Sequence, residues 1–228
     1  MKTLNQYIQE KLIINQRFDE KLIVNKDYHE PKIVVKSFVE LKKIIDDRYV
    51  KLGAGTEQDP IDFNDIDVSN IDSFYSINRD LGIFERTQFK YIDISDWDVS
   101  NITNMSNMFF MCGKLKSVGD LSKWDVSNVT DMRGMFYMCK ELKSVRNISK
   151  WDVSKVTNMR SMFYSCTYFN QDISGWDVYN VNNMSFMFYN CVSFNQDISK
   201  WNVLNVTDAI NMFYNCPIKK EYKPKYNY

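Results

Sequence analysis

The chain has 228 residues, and its 29 basic and 29 acidic side chains give a formal net charge of zero. This balance creates no global field that would favour nucleic acid or a membrane surface. Apolar residues make up 44% of the chain and aromatic residues 15%, enough for a substantial core, while 7 Gly and 4 Pro exclude a collagen-like or glycine-rich chain.

The sequence indicates neither a membrane span nor a secretory signal. No apolar run approaches the roughly 20 residues that cross a bilayer. The N-terminus lacks an apolar segment and a small-residue cleavage site. We therefore predict no membrane insertion and a cytoplasmic location, with a virion as the alternative and the cell surface less favoured.

Residues 1–31 form a leader with a tandem decapeptide, residues 10–19 and 20–29. Each copy holds an apolar triplet, a polar turn and one aromatic residue. Because β-branched residues favour strands, we predict two short strands or an extended arm. Two roles stay open for this leader: a structural arm, or a docking or targeting peptide.

The segment 32–60 contains a predicted α-helix over residues 38–52. Ser37 and Glu40 have the spacing of a capping box. Apolar residues then recur at helical spacing, and Gly53 is placed to end the helix. We expect this helix to cover the first unit of a repeat array, whose end would otherwise be exposed.

A tryptophan-marked repeat occupies most of the remaining chain. Its motif, of the form Trp-Asp-Val-Ser-Asn-(Ile/Val)-Thr, is followed by Met-x-x-Met-Phe-x-x-Cys. The tryptophans are spaced by 27, 27, 25 and 25 residues: Trp97, Trp124, Trp151, Trp176 and Trp201. Residues 66–71 are a degenerate first copy with isoleucine in the tryptophan position. Such a period predicts a solenoid, here of six coils over residues 61–216.

The apolar spacing within one repeat predicts a strand, a turn and a short helix. Residues 118–122 are the predicted strand, residues 129–139 carry helically spaced apolar residues, and Asn128 is the predicted helix cap. Each repeat then contributes a phenylalanine and a cysteine to the core beside its tryptophan. The predicted core residues are Phe109, Phe136, Phe163, Phe188, Phe213, Cys112, Cys139, Cys166, Cys191 and Cys216.

The cysteines occupy equivalent positions in successive repeats. Equivalent side chains point the same way, so the geometry for disulfides is missing and buried thiols acting as small hydrophobes are expected. Paired zinc-ligand spacing is absent, and His29 is the single histidine. A second column of equivalent residues, Asn101, Asn128, Asn180 and Asn205, predicts a buried asparagine ladder that bonds the backbone of adjacent coils and is broken at Lys155.

These motifs resemble the BspA-like leucine-rich repeat family, whose Trp-Asp-(Val/Thr)-Ser-Asn-Val-Thr form recurs in mycoplasma surface lipoproteins, gut bacteria and some tailed phages. Residues 169–176 and 194–201 carry the family's other half-repeat, Phe-Asn-Gln-Asp-Ile-Ser-x-Trp. The resemblance implies an α/β solenoid: a leucine-rich-repeat-like right-handed coil with a parallel β-sheet on one side and short helices on the other. It also implies adhesion or protein interaction.

The sequence shows no Ser/His/Asp set, no metal-ligand cluster and no phosphate-binding loop, so we predict a non-enzymatic chain without a cofactor. Acidic columns precede and follow the tryptophans; they predict turns, with calcium binding as the alternative. The residue immediately before each tryptophan differs between repeats, which indicates that packing of the repeats does not fix it. Together with neighbouring charged residues, these positions predict a binding strip. Its residues are Lys123, Arg146, Lys150, Lys200, Asp120, Asp172 and Asp197.

The favoured function is a non-catalytic protein-interaction module that presents its sheet face to a protein partner. No nucleic acid is expected, and the basic, tyrosine-rich tail at 217–228 is read as a frayed terminus. Outside a phage assembly we expect a monomer or weak oligomer. The alternatives are a phage structural or head-packaged protein addressed by its leader, and a surface adhesin.

Overall fold

The computed structural model describes residues 31–76, 81–85, 87–143 and 145–225. The chain divides into two units, Met1–Pro31 and Lys32–Tyr228, and the description below concerns the second. The tandem decapeptide of the leader and the last three residues of the tail lie outside the described residues. No helix in the described ranges is long and apolar enough to cross a membrane.

Helix α1, Phe38–Leu52, has the predicted bounds. The Ser37 hydroxyl accepts from the Glu40 N–H at 3.2 Å, but the Glu40 carboxylate accepts from the Lys36 N–H and not from the Ser37 N–H. Only half of the capping box therefore forms. The helix ends at Gly53, and its apolar face packs into the core, where Leu41 and Ile45 are fully buried.

The regular strands are two residues long and lie before the first tryptophan. They are β1 Ile33–Val34, β2 Ile61–Asp62, β3 Ile66–Asp67, β4 Tyr75–Ser76, β5 Leu81–Gly82 and β6 Ile92–Asp93. Strand β1 pairs in parallel with β3, and β2 in parallel with β6, while β4 and β5 are antiparallel. Short 3-10 turns follow at Leu121–Lys123, Ile148–Lys150 and Lys220–Tyr222.

The prediction of an α/β solenoid, a leucine-rich-repeat-like coil with a parallel sheet and short helices, is wrong. The predicted helix of residues 129–139 is a run of turns, and the predicted strand of residues 118–122 overlaps the 3-10 turn Leu121–Lys123. In the described part of the chain, successive repeats pair through isolated parallel bridges and not through an extended sheet. One column of bridges joins Asn104, Asp131, Asn158, Asn183 and Asp208.

Backbone pairing explains why no helix forms in the repeat. Alternate N–H groups donate to carbonyls of the next repeat at 2.7–3.0 Å: Met132, Gly134, Phe136 and Met138. The intervening groups close turns within the repeat, as when Met135 N–H donates to the Met132 carbonyl. An α-helix instead needs each N–H to reach the carbonyl four residues back. We call residues 131–139 and their equivalents the turn run.

Left-handed backbone reinforces this geometry. Two positions in each turn run have φ between 51° and 61°, far from the helical value near −63°. The first position holds Asn107, Gly134, Ser161, Phe186 and Asn211. The second holds Met111, Met138, Ser165, Asn190 and Asn215. A right-handed helix cannot pass through these residues.

Tryptophan and cysteine side chains bond each repeat to the one before it. Each indole N–H donates to a backbone carbonyl of the preceding repeat at 2.8–3.3 Å, as Trp151 does to Leu121. The four buried thiols are oriented to donate to a phenylalanine carbonyl of the preceding repeat, as Cys139 is to Phe109 at 3.1 Å, whereas Cys216 faces the Phe194 carbonyl of its own repeat. The four buried cysteines are thus more than the small hydrophobes predicted, because they add a polar link between repeats.

The core residues predicted from the repeat are buried, apart from the half-buried Phe213 and Cys216 of the last repeat. Core phenylalanine rings stack between successive repeats at centroid distances of 5.4–5.8 Å. The predicted asparagine ladder bonds the backbone as expected, with Asn128 Nδ2 donating to the Ser100 carbonyl, but its residues are exposed and not buried. Asn128 therefore links repeats and caps no helix.

Candidate binding groove

The structure exposes the predicted lysine column. Lys123, Lys150 and Lys200 lie at equivalent surface positions before their tryptophans. The Lys123 Nζ lies 2.8 Å from the Asp96 carboxylate, which occupies the same position in the preceding repeat. That hydrogen bond raises the pKa of Lys123. One of the three lysines is thus already paired within the chain.

The acidic residues of the predicted strip build turns. Asp120, Asp172 and Asp197 each accept a hydrogen bond from the serine N–H two residues later, at 2.9–3.0 Å. Serine hydrogen bonds lower the pKa of Asp172 and Asp197, and a hydrogen bond from Asn147 does most to lower the pKa of Asp120. In the described ranges, no group of three or more His, Cys, Asp or Glu side chains could hold a metal ion.

A groove of about 660 Å³ lies beside this strip. Its lining residues Tyr91 and Ser117 form a parallel bridge between successive repeats, and Arg146, which also lines it, forms the next such bridge with Asp120. Among the predicted binding residues, Arg146 is the one that lines the groove. The lining includes Tyr91, Asp93, Lys116, Glu141, Lys143, Arg146 and Tyr168.

Two lysines of the groove lie over tyrosine rings. Lys116 Nζ is 5.9 Å from the Tyr91 ring centroid, and Lys143 Nζ is 5.7 Å from that of Tyr168. The ring quadrupole attracts a cation at such distances. The tyrosines therefore orient the ammonium groups without neutralising their charge.

The carboxylates of the groove are held by partners of their own. Glu141 lies 2.9 Å from Lys114 Nζ and 3.7 Å from Lys116 Nζ, and the hydrogen bond from Lys114 does most to lower its pKa. Partial burial raises the pKa of Asp93, but hydrogen bonds from Ser95 and Asn64 outweigh it and leave that pKa below its usual value.

Gly119 lets the floor approach Asp93 closely. Its φ is +88°, and a Cβ at this position would lie 2.5 Å from the Asp93 Oδ1 atom. A larger residue would therefore displace the carboxylate as well as strain the backbone. The floor geometry depends on this glycine.

Within the described residues, Lys143 and Arg146 form no ion pair shorter than 4.0 Å. Lys116 shares Glu141 with Lys114, so its charge is partly balanced. The groove therefore offers two unpaired cations beside two tyrosine rings. Such a surface suits a ligand with both negative and apolar groups.

The Gln171 side chain bonds both backbone groups of Val145, the residue before Arg146 of the groove. Its Oε1 accepts from the Val145 N–H at 2.6 Å, and its Nε2 donates to the Val145 carbonyl at 2.7 Å. The Gln171 amide thus supplies the acceptor and the donor that the backbone of a neighbouring repeat would otherwise supply. It does so where the repeat shortens from 27 to 25 residues. This role was not predicted from the sequence, although glutamine recurs at the equivalent Gln196.

An aromatic ladder on the surface was also not predicted from the sequence. Rings at the position after each core phenylalanine stack at 4.5–4.7 Å: Phe110, Tyr137, Tyr164, Tyr189 and Tyr214. The signal in the sequence is an aromatic residue after the core phenylalanine in every full repeat. Desolvation, followed by the neighbouring tyrosines, raises the pKa of Tyr164 and Tyr189.

The repeats match a known protein family. A family model described as "Mycoplasma protein of unknown function, DUF285" matches residues 57–144 and residues 110–224. The chain belongs to this family. The two matches include all the tryptophan repeats and the whole groove. No curated protein and no solved structure showed a significant match to the chain.

Proposed function

We propose that this DUF285 protein is a non-catalytic protein-binding module whose groove holds an extended acidic segment of a partner. The observation that supports this proposal is the pair of unpaired cations, Lys143 and Arg146, beside the rings of Tyr91 and Tyr168. Tyrosine and arginine are the side chains that most often dominate protein interfaces. Charge complementarity would set the choice of partner.

The groove is a better candidate than the predicted lysine column. The column is an exposed surface, and Lys123 is held by Asp96. The groove collects side chains from successive repeats around one concave space, the shape that binding sites usually have. The resemblance of the motifs to BspA-like repeats also favours an interaction role over catalysis.

The test is a selection from a random peptide library on the purified chain, followed by calorimetric titration of the selected peptides. We expect acidic peptides to be enriched and the K116E/K143E/R146E variant to bind them more than tenfold less tightly, since like charges oppose them. The matched control is K123E/K150E/K200E, which makes the same charge change on the lysine column. Equal loss in both triple variants, or none in the groove variant, would reject the groove.

A further inference from the structure

The last repeat ends in a row of backbone donors that inner repeats use to bind their successors. In the preceding repeat, four N–H groups donate to carbonyls of residues 208–214 at 2.7–2.9 Å: Met184, Phe186, Phe188 and Asn190. Their equivalents in the last repeat have no acceptor within the described part of the chain: Ala209, Asn211, Phe213 and Asn215. None of these four residues is buried. We call this row the donor edge.

Within its described residues, 217–225, the tail bonds to the neighbouring part of the last repeat, and none of its groups accepts from the donor edge. The Ile198 N–H donates to the Tyr222 carbonyl, and the Lys219 N–H donates to the Asn195 side chain. Lys223 Nζ lies 5.2 Å from the Phe213 ring centroid, over the end of the core phenylalanine stack. Beside the donor edge, Ile210 and Tyr214 stay 58% and 57% exposed.

The donor edge differs from the edge of a β-sheet. A β-strand offers N–H and C=O groups alternately on one side. In the last repeat, the carbonyls of the turn run either accept from the preceding repeat or close turns within the run. The side that faces away from the preceding repeat therefore carries N–H donors. In this region the Thr207 carbonyl is an outward acceptor without a donor among the described residues. A row of outward backbone N–H groups carries partial positive charge and therefore attracts anions.

This polarity restricts what can cover the edge. In a symmetric dimer, the donor edges of two copies would meet and N–H groups would face N–H groups. Symmetric self-association through this edge is therefore disfavoured. At the other end of the turn-run stack, the antiparallel pair of β4 and β5 interrupts the equivalent of the turn run, so no unbroken row of outward carbonyls lies there among the described residues. A partner rich in acceptors is required.

We propose that the donor edge binds an extended segment of a partner protein in which carboxylate side chains alternate with apolar ones. The carboxylates would accept from the free N–H groups, with Lys223 adding positive charge nearby. The apolar side chains would cover Ile210 and the open face of the Tyr214 ring, whose other face stacks on Tyr189 at 4.7 Å. A nucleic-acid strand would supply anions, and its bases would stack on Tyr214, but it has no aliphatic side chain to cover Ile210. This surface is separate from the groove and does not depend on the function proposed for it.

The experiment titrates isotope-labelled protein with a peptide of alternating leucine and glutamate, followed by amide NMR. We expect the N–H signals of Ala209, Asn211, Phe213 and Asn215 to move, and those of the equivalent inner residues to stay in place. Those inner residues are Met159, Ser161, Phe163 and Ser165, which are already bonded. Leucine–glutamine and leucine–lysine peptides should produce smaller shifts and none, respectively.

Variants separate the charge from the apolar contact. Ile210→Glu should weaken binding of the leucine–glutamate peptide by about tenfold through like-charge repulsion, whereas Ile210→Gln should weaken it less. Val50→Glu makes the same change on α1, where Val50 is 85% exposed, and should have no effect. The K116E/K143E/R146E variant should also bind normally at the edge. Unmoved edge amides, equal binding of the lysine peptide, or movement with an oligonucleotide but not with the acidic peptide would overturn the proposal.

Discussion

Gly134 provides the sharpest test of the turn run, because the turn and helix interpretations predict opposite signs for Gly134→Ala. Gly134 has φ +61° in the middle of the segment predicted to be helical. In a helix interior, alanine in place of glycine would stabilise the protein by about 1 kcal/mol. In the turn run, the new Cβ meets a left-handed backbone and should destabilise it.

The magnitude follows from the local geometry. A left-handed backbone costs a non-glycine residue about 1–2 kcal/mol. The added Cβ would also lie 2.3 Å from the Asn107 Oδ1 atom, so that side chain must move. Alanine also lowers the conformational entropy of the unfolded chain, which stabilises the folded protein by about 0.4–1 kcal/mol. We expect a net loss of about 1 kcal/mol in the free energy of unfolding.

The assay is urea unfolding followed by tryptophan fluorescence and far-ultraviolet circular dichroism. Ser161→Gly is the mirror experiment, because Ser161 occupies the equivalent position at φ +56° and should gain up to about 1 kcal/mol. Ser161→Ala keeps a Cβ and should change stability by less than about 0.5 kcal/mol. Stabilisation by Gly134→Ala together with destabilisation by Ser161→Gly would refute the turn run.

Three further predictions concern the core, the turns and the thiols. Trp151→Ala should lower the unfolding free energy by about 3–5 kcal/mol in the same assay, and Trp151→Phe by less, since it keeps an aromatic ring against Trp124 while losing the bond to Leu121 and part of the buried ring volume. Serine hydrogen bonds lower the pKa of Asp125 and Asp152 in the folded state, so their stabilisation is complete above the ordinary pKa and is lost as pH falls through the lowered one. Unfolding measured from neutral to acid pH should therefore show a weaker acid dependence in Asp125→Asn/Asp152→Asn than in wild type, and an identical dependence would count against these bonds. Burial raises the pKa of the Cys139 and Cys191 thiols, whereas Cys216 is only partly buried, so a thiol reagent should modify Cys216 first and Cys216→Ser should remove that fast phase.

The repeat sequence predicts the columns of the core because equivalent residues must pack on one another. Trp124 stacks on Trp151 with the rings nearly parallel at 3°, as the period requires. Helix α1 was also predictable, because capping and apolar spacing both point to it. These features depend on local spacing, which a single sequence carries.

The prediction of a helix over residues 129–139 was wrong for a physical reason. Turns closed by bonds between residues three apart place Met132 near Met135 and Phe136 near Cys139, and helical spacing uses the same interval of three. Asn107, Gly134 and Ser161 are small or polar, which is a signal of left-handed backbone. Phe186 and Met138 also have left-handed backbone but are large and apolar, so the signal is not consistent across the repeats. The choice depends on pairing with the next repeat, which spacing within one repeat does not reveal.

The groove was only partly predictable. Arg146 was identified as a charged residue beside the strip. Its groove neighbours were not identified, although Lys116 and Lys143 hold equivalent positions 27 residues apart and Tyr168 lies in the following repeat. Their convergence depends on the register between repeats and on the close approach that Gly119 permits. Neither follows from counting charges along the chain.

Residue-resolved amide hydrogen exchange tests the central claim most directly, namely that alternate N–H groups bond from one repeat to the next. The account predicts slow exchange for Met159, Ser161, Phe163 and Ser165, and fast exchange for Ala209, Asn211, Phe213 and Asn215 in the last repeat. Helices in the repeats would bond the N–H groups of Phe213 and Asn215 internally. Strong protection of those two amides in the unliganded protein would contradict the account.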